Sequence, residues 1–556
     1  MDEVFDYVIV GAGSAGCVLA NRLSAEPRNR VLLLEAGGSD RSIFIRMPSA
    51  LSIPMNMAKY NWFFESEPEP NLDGRRMHTP RGRVIGGSSS INGLVYIRGN
   101  PLDYEAWREG GAQGWGWSDV LPYFRRAETR DEGGNEYRGG DGPLATRYGP
   151  LANPLYRAWI QAGRQAGYGV TDDVNGYRQE GFGRMDMTVR NGERCSAAVA
   201  YLHPAQGRKN LEVRSGALAS AIIFEGRRAV GIRYLHNGAE KIARAAREVI
   251  LAGGPINSPQ LLKLSGVGPA RELQSFGIPI VANRRGVGEN LQDHLEFYFQ
   301  VACTQPITLF SSMGKLAKLG IGLRWLLRRD GLGATNHFES CGFIRSRVGV
   351  RWPDLQYHFL PLAVAYDGST MADRHGFQAH AGPMRSKSRG SVRLRSADPE
   401  SKPEIRFNYM SHPDDWVEMR AAVRLTREIF AQAAFDPYRG AELQPGADVV
   451  TDEQIDTFIR RKVESAYHPC GTCRMGRADD PAAVVDPETR VIGVDGLRVA
   501  DSSIMPTVPT GNLNAPSIMI GEKAADHILG RALLAPSNAP YYAAANWQSA
   551  HRGEAS

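Results

Sequence analysis

Asp6-Tyr7-Val8-Ile9-Val10-Gly11-Ala12-Gly13-Ser14-Ala15-Gly16 is the stretch whose reading decides the fold. A short β-branched run ends in glycines spaced G-x-G-x-x-G, and Cys17 to Leu23 continue as an amphipathic stretch, so the segment reads as strand, turn and helix. A second apolar run, Val31 to Leu34, ends in Glu35, nineteen positions after Gly16. Gly11 makes the tight turn, Gly13 admits backbone amides to a pyrophosphate, and Gly16 lets helix and strand pack closely. The phosphates lie at the helix N-terminus and the Glu35 carboxylate accepts a ribose hydroxyl. The expectation is an α/β, Rossmann-like dinucleotide-binding unit with Gly11, Gly13, Ser14, Ala15, Gly16, Glu35 and Ala36 at the ligand. A glycine-rich turn of purely structural purpose is the competing reading.

The chain has 556 residues, with 42% apolar and 23% charged side chains, so it can bury a sizeable core in several domains. Its 66 basic and 60 acidic side chains are spread without long like-charge runs, which argues against dedicated nucleic-acid binding. Six scattered cysteines are expected as free thiols in a reducing compartment. Met1 to Phe5 leads straight into a strand and no run of 18 apolar residues occurs, so the expected location is the cytoplasm, or the periphery of the inner membrane. Gly266-Val267-Gly268 and Gly286-Val287-Gly288 lack the third glycine and the strand–helix context of a second nucleotide fingerprint. One dinucleotide is expected, held as a resident redox group.

Arg81-Gly82-Arg83-Val84-Ile85-Gly86-Gly87-Ser88-Ser89-Ser90-Ile91-Asn92-Gly93 is a long small-residue segment that lets backbone amides lie against a flat ring system. Together with Leu251-Ala252-Gly253-Gly254-Pro255-Ile256-Asn257-Ser258-Pro259-Gln260, it resembles the two signature segments of the glucose-methanol-choline (GMC) family of FAD oxidoreductases. The resemblance runs in order from Asp6 to Ile520. It implies FAD as cofactor, with Gly86, Gly87, Asn92, Gly93, Val95, Asp501 and Asn514 joining the N-terminal residues around it. Some relatives attach FAD through a histidine in the glycine–serine segment. Here Ile91 stands at that position, so FAD is expected to be non-covalent, and the oxygen-using oxidase reading is weakened.

Tyr467-His468-Pro469-Cys470 resembles the family's catalytic histidine segment and Thr510-Gly511-Asn512-Leu513-Asn514 its partner segment. The resemblance implies that His468 is the general base and that Asn512 holds the substrate oxygen. An imidazole suits the removal of an alcohol proton as hydride leaves carbon. Tyr60-Asn61-Trp62-Phe63, Thr335-Asn336-His337-Phe338-Glu339 and Gln356-Tyr357-His358-Phe359 look most like members that oxidise choline to betaine aldehyde and onward to glycine betaine. A quaternary ammonium offers no hydrogen to donate, so recognition must rest on a carboxylate and aromatic faces. Glu339, His358, Tyr467 and Trp62 are the candidates, against a salt-bridged structural role for Glu339 and a core or flavin contact for Trp62. Cys470 and Cys473 form a CxxC, but no second CxxC accompanies it, and neither a redox dithiol nor a metal site is expected.

The rival activity is oxidation of aliphatic or polyether alcohols. A flavin-fold binding protein without catalysis is the reading from another class. The family pattern implies a discontinuous FAD-binding domain over 1–155, 195–300 and 465–535. A substrate domain of antiparallel sheet plus helices takes 156–194 and 301–464, and a loosely held tail takes 536–556. The electron acceptor implied is a membrane quinone or another acceptor that is neither NAD nor oxygen. Residues 315–329 combine five basic side chains with leucines and Trp325. They suit a peripheral membrane contact, or a helix packed on the substrate domain with its basic face in water; the packed reading is preferred.

Overall fold

The Glu3–Val10 strand lies at the centre of a mixed sheet, paired in parallel with Val31–Glu35 on one side and Ala239–Leu251 on the other. In this computed structural model, which describes residues 3–364 and 374–552, Val10 therefore sits beside both Leu34 and Leu251. Leu211–Ser215 extends the parallel part beyond Val31–Glu35, and Leu497–Val499 pairs with the end of Ala239–Leu251. Strands covered on both faces must be apolar throughout, which is why Val31 to Leu34 read as an uninterrupted run. The long Ala239–Leu251 strand leaves the parallel core and continues as an antiparallel meander with Arg228–His236 and Ala217–Glu225. The Ser14–Ser24 helix lies between this sheet and the Asn514–Leu529 helix, so the two ends of the chain share one core.

A second sheet, antiparallel throughout, runs in the order Arg439–Gln444, Leu295–Cys303, Gly376–Pro383, Leu355–Leu360, Ser340–Ile344 and Gly181–Arg184. Successive residues of a strand point to opposite faces. Phe297, Phe299, Tyr357, Phe359 and Phe377 face the Pro154–Gln165 and Pro413–Phe430 helices and form the second core. Trp159 is its centre, stacked on Phe359 with ring centroids 5.3 Å apart and in contact with Phe182, Tyr357 and Phe430. The other face carries the polar residues, with His358 opposite His380 and His380 opposite Tyr298.

Three expectations need correction. The Leu295–Cys303 strand crosses the boundary expected at 301, and Leu295 pairs with Ser465, so the second sheet takes in 295–303 and 464–465. The tail over 536–552 is docked, not loose. Tyr137 donates to the Pro540 carbonyl (2.9 Å), Tyr542 N–H to the Tyr177 carbonyl (2.8 Å) and Arg345 to the Ala550 carbonyl (2.6 Å), while Arg552 pairs with Glu428. Finally, the Lys315–Arg328 helix packs through Trp325 and keeps its basic side chains in water as the packed reading has it, but its leucines are in water too.

Because Trp159 is fully buried among aromatic rings, Trp159→Ala should cost about 3–5 kcal/mol in the substrate-side domain. Denaturant unfolding followed by circular dichroism checks this. A loss under about 1 kcal/mol would mean that the ring is not a packing centre.

Candidate active site

His468 reaches its place because the chain turns sharply after the short Glu464–Ser465 strand, and Tyr467 takes a positive φ of 64° to make that turn. Its backbone N–H donates to Asp293 Oδ1 at 2.7 Å. Asp293 Oδ2 accepts from Tyr409 Oη (2.6 Å) and Ser465 Oγ (2.5 Å), so one buried carboxylate ties the turn to the second sheet. Asn512 is held from the other side. Asp103 accepts from Thr510 N (2.6 Å) and Thr510 Oγ1 (2.8 Å), and at Gly511 (φ +145°) a Cβ would come within 2.3 Å of Ile97 Cγ2.

The imidazole protons follow from the hydrogen bonds. His294 Nε2 lies 2.9 Å from the Met384 carbonyl oxygen, which only accepts, so Nε2 carries the proton. Burial lowers the His294 pKa to about 4, so the ring is neutral and its Nδ1 is an acceptor. His468 Nδ1 lies 3.1 Å from His294 Nδ1 and must therefore donate to it. Burial, and then the neighbouring His294, His358 and Arg81, hold His468 well below the usual imidazole range. Neutral His468 thus keeps its lone pair on Nε2, where Asn512 Nδ2 donates at 3.1 Å. Asn512 Oδ1 lies 3.2 Å from Gln356 Nε2 and 3.3 Å from His358 Nε2.

His468 and Asn512 line one end of a continuous cavity, together with Trp62, Tyr467 and His358. Gly11, Gly13, Ser14, Ala15, Glu35 and Ala36 line its other end. Between them lie Gly87, Asn92, Gly93, Val95, Asp501 and Asn514. Gly16 and Gly86 stand behind the lining. A Cβ on Gly16 would lie 1.9 Å from the Gly11 carbonyl oxygen, and one on Gly86 would lie 2.2 Å from Ser90 Oγ.

The glycine-lined end fits a dinucleotide. The Ser14–Ser24 helix begins at Gly13 with no side-chain cap, leaving its first amides for an anion. Gly87, at φ +53°, lies so close to Gly13 that a Cβ would come within 2.7 Å of the Gly13 Cα. Glu35 accepts from Ala12 N (2.9 Å) and Gly37 N (2.7 Å), and burial raises its carboxyl to about 7. Each carboxylate oxygen retains a lone pair for a ribose hydroxyl.

Glu339 does not line this cavity. Its carboxylate accepts from Leu151 N (2.6 Å) and Thr335 Oγ1 (2.8 Å), and its side chain packs against Gly149, so its bonds are structural. The carboxylate that does line the cavity beside His468 is Glu296, 3.0 Å from His380 Nδ1, with the Phe338 ring nearby. Arg81 also lines it, with Nη2 donating to the Tyr467 carbonyl (2.5 Å). Sequence reading missed Glu296, His294, Asp293 and His380. The available signal was alternation: His294, just before its strand, with Glu296, Gln356 with His358, and Gln378 with His380 are i, i+2 pairs of polar residues in largely apolar stretches. Cys470 and Cys473 are buried free thiols, both pushed up by burial.

A family model described as GMC oxidoreductase matches residues 5–296, and a second of the same description matches 386–521. A protein of Brucella ovis, named oxygen-dependent choline dehydrogenase, is 59% identical over 547 residues, covering 98% of this chain and all of that one. One of Photobacterium profundum with the same name is 56% identical, covering 100% and 98%. Among solved structures, a pyridoxine 4-oxidase from Mesorbium loti superposes with a TM-score of 0.84 at 31% identity, over 95% of this chain and 100% of that one. A formate oxidase of Aspergillus oryzae, from a structure concerned with FAD modification, gives 0.89 at 26% over 95% and 99%.

A depressed pKa means that His468 stays neutral as pH falls through 6.5, where an exposed imidazole becomes charged. Nitrogen-15 NMR of histidine-labelled protein, with His468→Gln as the assignment control, should show a neutral ring protonated on Nδ1 at pH 6. An imidazolium signal at that pH would overturn the tautomer assignment.

Proposed function

The chain belongs to the GMC oxidoreductase family, and on that premise we propose that it is an FAD-dependent alcohol dehydrogenase whose substrate is choline, oxidised to betaine aldehyde. One observation carries the choice of a cationic alcohol: the Glu296 carboxylate and the aromatic rings of Trp62, Tyr467 and Phe338 line the same cavity as His468. Aromatic faces and a carboxylate attract a quaternary ammonium without needing a hydrogen from it. The near-full-length identity to relatives named for choline supports the same reading.

His468 Nε2 takes the hydroxyl proton. Bound FAD would supply the two-electron acceptor for the hydride of the α-carbon; with the proton on His468, the alcohol loses two electrons and two hydrogens and becomes the aldehyde. Asn512 Nδ2, which donates to His468 Nε2 in the substrate-free arrangement, turns its hydrogen to the substrate oxygen and keeps it beside the base. His294 accepts the Nδ1–H of His468 and so fixes which nitrogen is basic. Gly11, Gly13, Ser14 and Glu35, which line the glycine-rich part of the cavity, would hold the adenosine and pyrophosphate half of the cofactor. Further oxidation of the aldehyde to glycine betaine would run through its hydrate at the same base. The names of the relatives speak of oxygen, whereas Ile91 weakens the oxygen-using reading and the family resemblance implies membrane quinone or another acceptor. Reoxidation of the reduced enzyme by oxygen against a soluble quinone distinguishes the two.

Anaerobic mixing with choline should bleach the flavin. Glu296→Gln should weaken choline about 30-fold or more, on the order of the 2 kcal/mol lost when one partner of a buried charged contact is removed. It should spare 3,3-dimethylbutan-1-ol, which has choline's shape without its charge. Glu339→Gln should discriminate far less, and His468→Ala should slow bleaching by about 10²-fold or more while FAD stays bound. Equal loss for the charged and uncharged alcohols in Glu296→Gln would remove Glu296 from recognition.

Ile91 is aliphatic, buried and part of the cavity lining, so it offers no atom for a covalent bond to the flavin. Acid precipitation should leave the yellow flavin in the supernatant. Flavin retained in the pellet would show an attachment elsewhere on the chain.

A further inference from the structure

Gln378 and His380 stand two positions apart on the Gly376–Pro383 strand, so both side chains lie on the polar face of the antiparallel sheet. On the neighbouring Leu295–Cys303 strand, Gln300 is opposite Gln378 and Tyr298 opposite His380, and Glu296 shares their face. His380 and Glu296 line the cavity, whereas Gln378 and Gln300 are buried and do not reach its lining. A glutamine amide shut away from water is costly unless its hydrogen bonds are met within the protein. Those of Gln378 are met in a fixed order that ends at Glu296.

The order starts from a backbone group. Val364 N–H, which can only donate, reaches one end of the Gln378 amide at 2.9 Å, so that end is the oxygen. Gln300 Nε2 donates to the same oxygen at 2.8 Å. The Gln378 nitrogen therefore faces His380 Nε2, at 2.6 Å, and donates to it. A ring nitrogen that accepts carries no proton, so His380 is neutral and holds its proton on Nδ1, 3.0 Å from Glu296 Oε1. The Tyr298 and Phe338 rings, with centroids 4.4 Å and 5.4 Å from that of His380, pack against the imidazole and hold it in place. The adjacent strand carries a similar pair, Gln356 and His358, but there the glutamine Oε1 meets no donor among the described residues, so nothing fixes that amide in the same way.

We propose that Gln378 is a positioning residue that sets substrate specificity: by donating to His380 Nε2 it keeps a neutral imidazole beside Glu296, so the carboxylate is oriented by a hydrogen bond and its charge is left for the ammonium of the substrate. An imidazolium in the same place would form an ion pair with Glu296, and in a poorly screened cavity it would compete directly with a cationic alcohol. The Gln378 amide prevents this, because His380 Nε2 cannot hold a proton while it accepts one. The inference rests on the reading of Glu296 as the partner of the cation and extends it to a residue outside the cavity lining.

Holoenzyme variants are compared by kcat/KM for choline divided by that for 3,3-dimethylbutan-1-ol, and by nitrogen-15 NMR of histidine-labelled protein with His380→Asn as the assignment control. In the wild-type enzyme the His380 signal should be that of a neutral ring protonated on Nδ1. Gln378→Glu keeps an oxygen for Val364 N–H and turns a second oxygen, in place of the amide nitrogen, toward His380 Nε2. It should give an imidazolium signal and lower the choline ratio about tenfold or more, through KM and not kcat, with the neutral alcohol unaffected. His380→Asn, whose amide nitrogen takes the place of Nδ1 and cannot become charged, should keep the preference for choline. If Gln378→Glu fails to fold, Gln378→Met, which keeps the volume and removes the donor, carries the same test: the choline ratio falls and the His380 proton is no longer confined to Nδ1. An imidazolium in the wild-type enzyme overturns the proposal. So does an equal loss for both alcohols in the Gln378 variants, or a choline ratio that they leave unchanged while Glu296→Gln lowers it. A ratio that Glu296→Gln also leaves unchanged removes the carboxylate from cation recognition, and the substrate-site reading falls together with the inference.

Discussion

The hydrogen bond from His294 to the Met384 carbonyl fixes the chemistry of the site, because a carbonyl cannot donate. From that one asymmetry the proton on His294 is assigned, then the proton on His468, and finally the lone pair on His468 Nε2 that faces Asn512. No carboxylate touches either ring in this chain of bonds; Asp293 holds the His468 backbone instead. The base is therefore oriented by neutral groups, and burial keeps it neutral.

The arrangement depends on segments far apart in the chain. Ser14 Oγ donates to Asn514 Oδ1 at 2.8 Å across 500 positions, and Asp103 holds Thr510 across 407. Long loops cost little extra closure entropy per residue added, so such contacts are thermodynamically cheap once both cores have formed. The two cores have separate tasks. The parallel sheet positions the glycine turn, whereas the antiparallel sheet turns its aromatic face to the Trp159 core and its polar face to the cavity. A single strand, Leu295–Cys303, belongs to both tasks, carrying Phe297 and Phe299 inward and Glu296 into the cavity.

The nucleotide half of the site was legible because its determinants are local. A β-branched run, three glycines at fixed spacing and Glu35 after a second strand are contiguous, and each corresponds to a backbone requirement visible in the fold: a Cβ on Gly11 would meet the Ala252 carbonyl oxygen at 2.5 Å. The substrate half was less legible. Glu339 and Phe338 are neighbours in sequence, and only the ring faces the cavity; adjacent residues there diverge, and the Glu339 carboxylate is taken up by Leu151 and Thr335. Glu296 stood in a segment read as part of the nucleotide domain, because a domain boundary drawn at 301 cuts its strand. The Lys315–Arg328 helix shows the same limit from another side. Its apolar periodicity identifies a face, but periodicity does not say whether that face meets protein or solvent; Trp325 alone turned inward.

An imidazole held well below its usual range is a weak base, so the proposed reaction must account for how His468 would remove an alcohol proton. The depression comes first from burial and then from positive or histidine neighbours, and among the described residues no carboxylate bonds to the His468 ring. Any negative charge that develops on the substrate oxygen therefore acts on an imidazole in a poorly screened site, where its attraction is larger than in water. Hydride loss from the carbinol leaves the oxygen of a protonated aldehyde, a far stronger acid than the alcohol, so in the proposed reaction even a weakly basic imidazole takes the proton as the carbon–hydrogen bond breaks. With no alcohol in place the same burial resists protonation from solvent, so the site keeps a competent base at pH values where an exposed histidine would already carry charge.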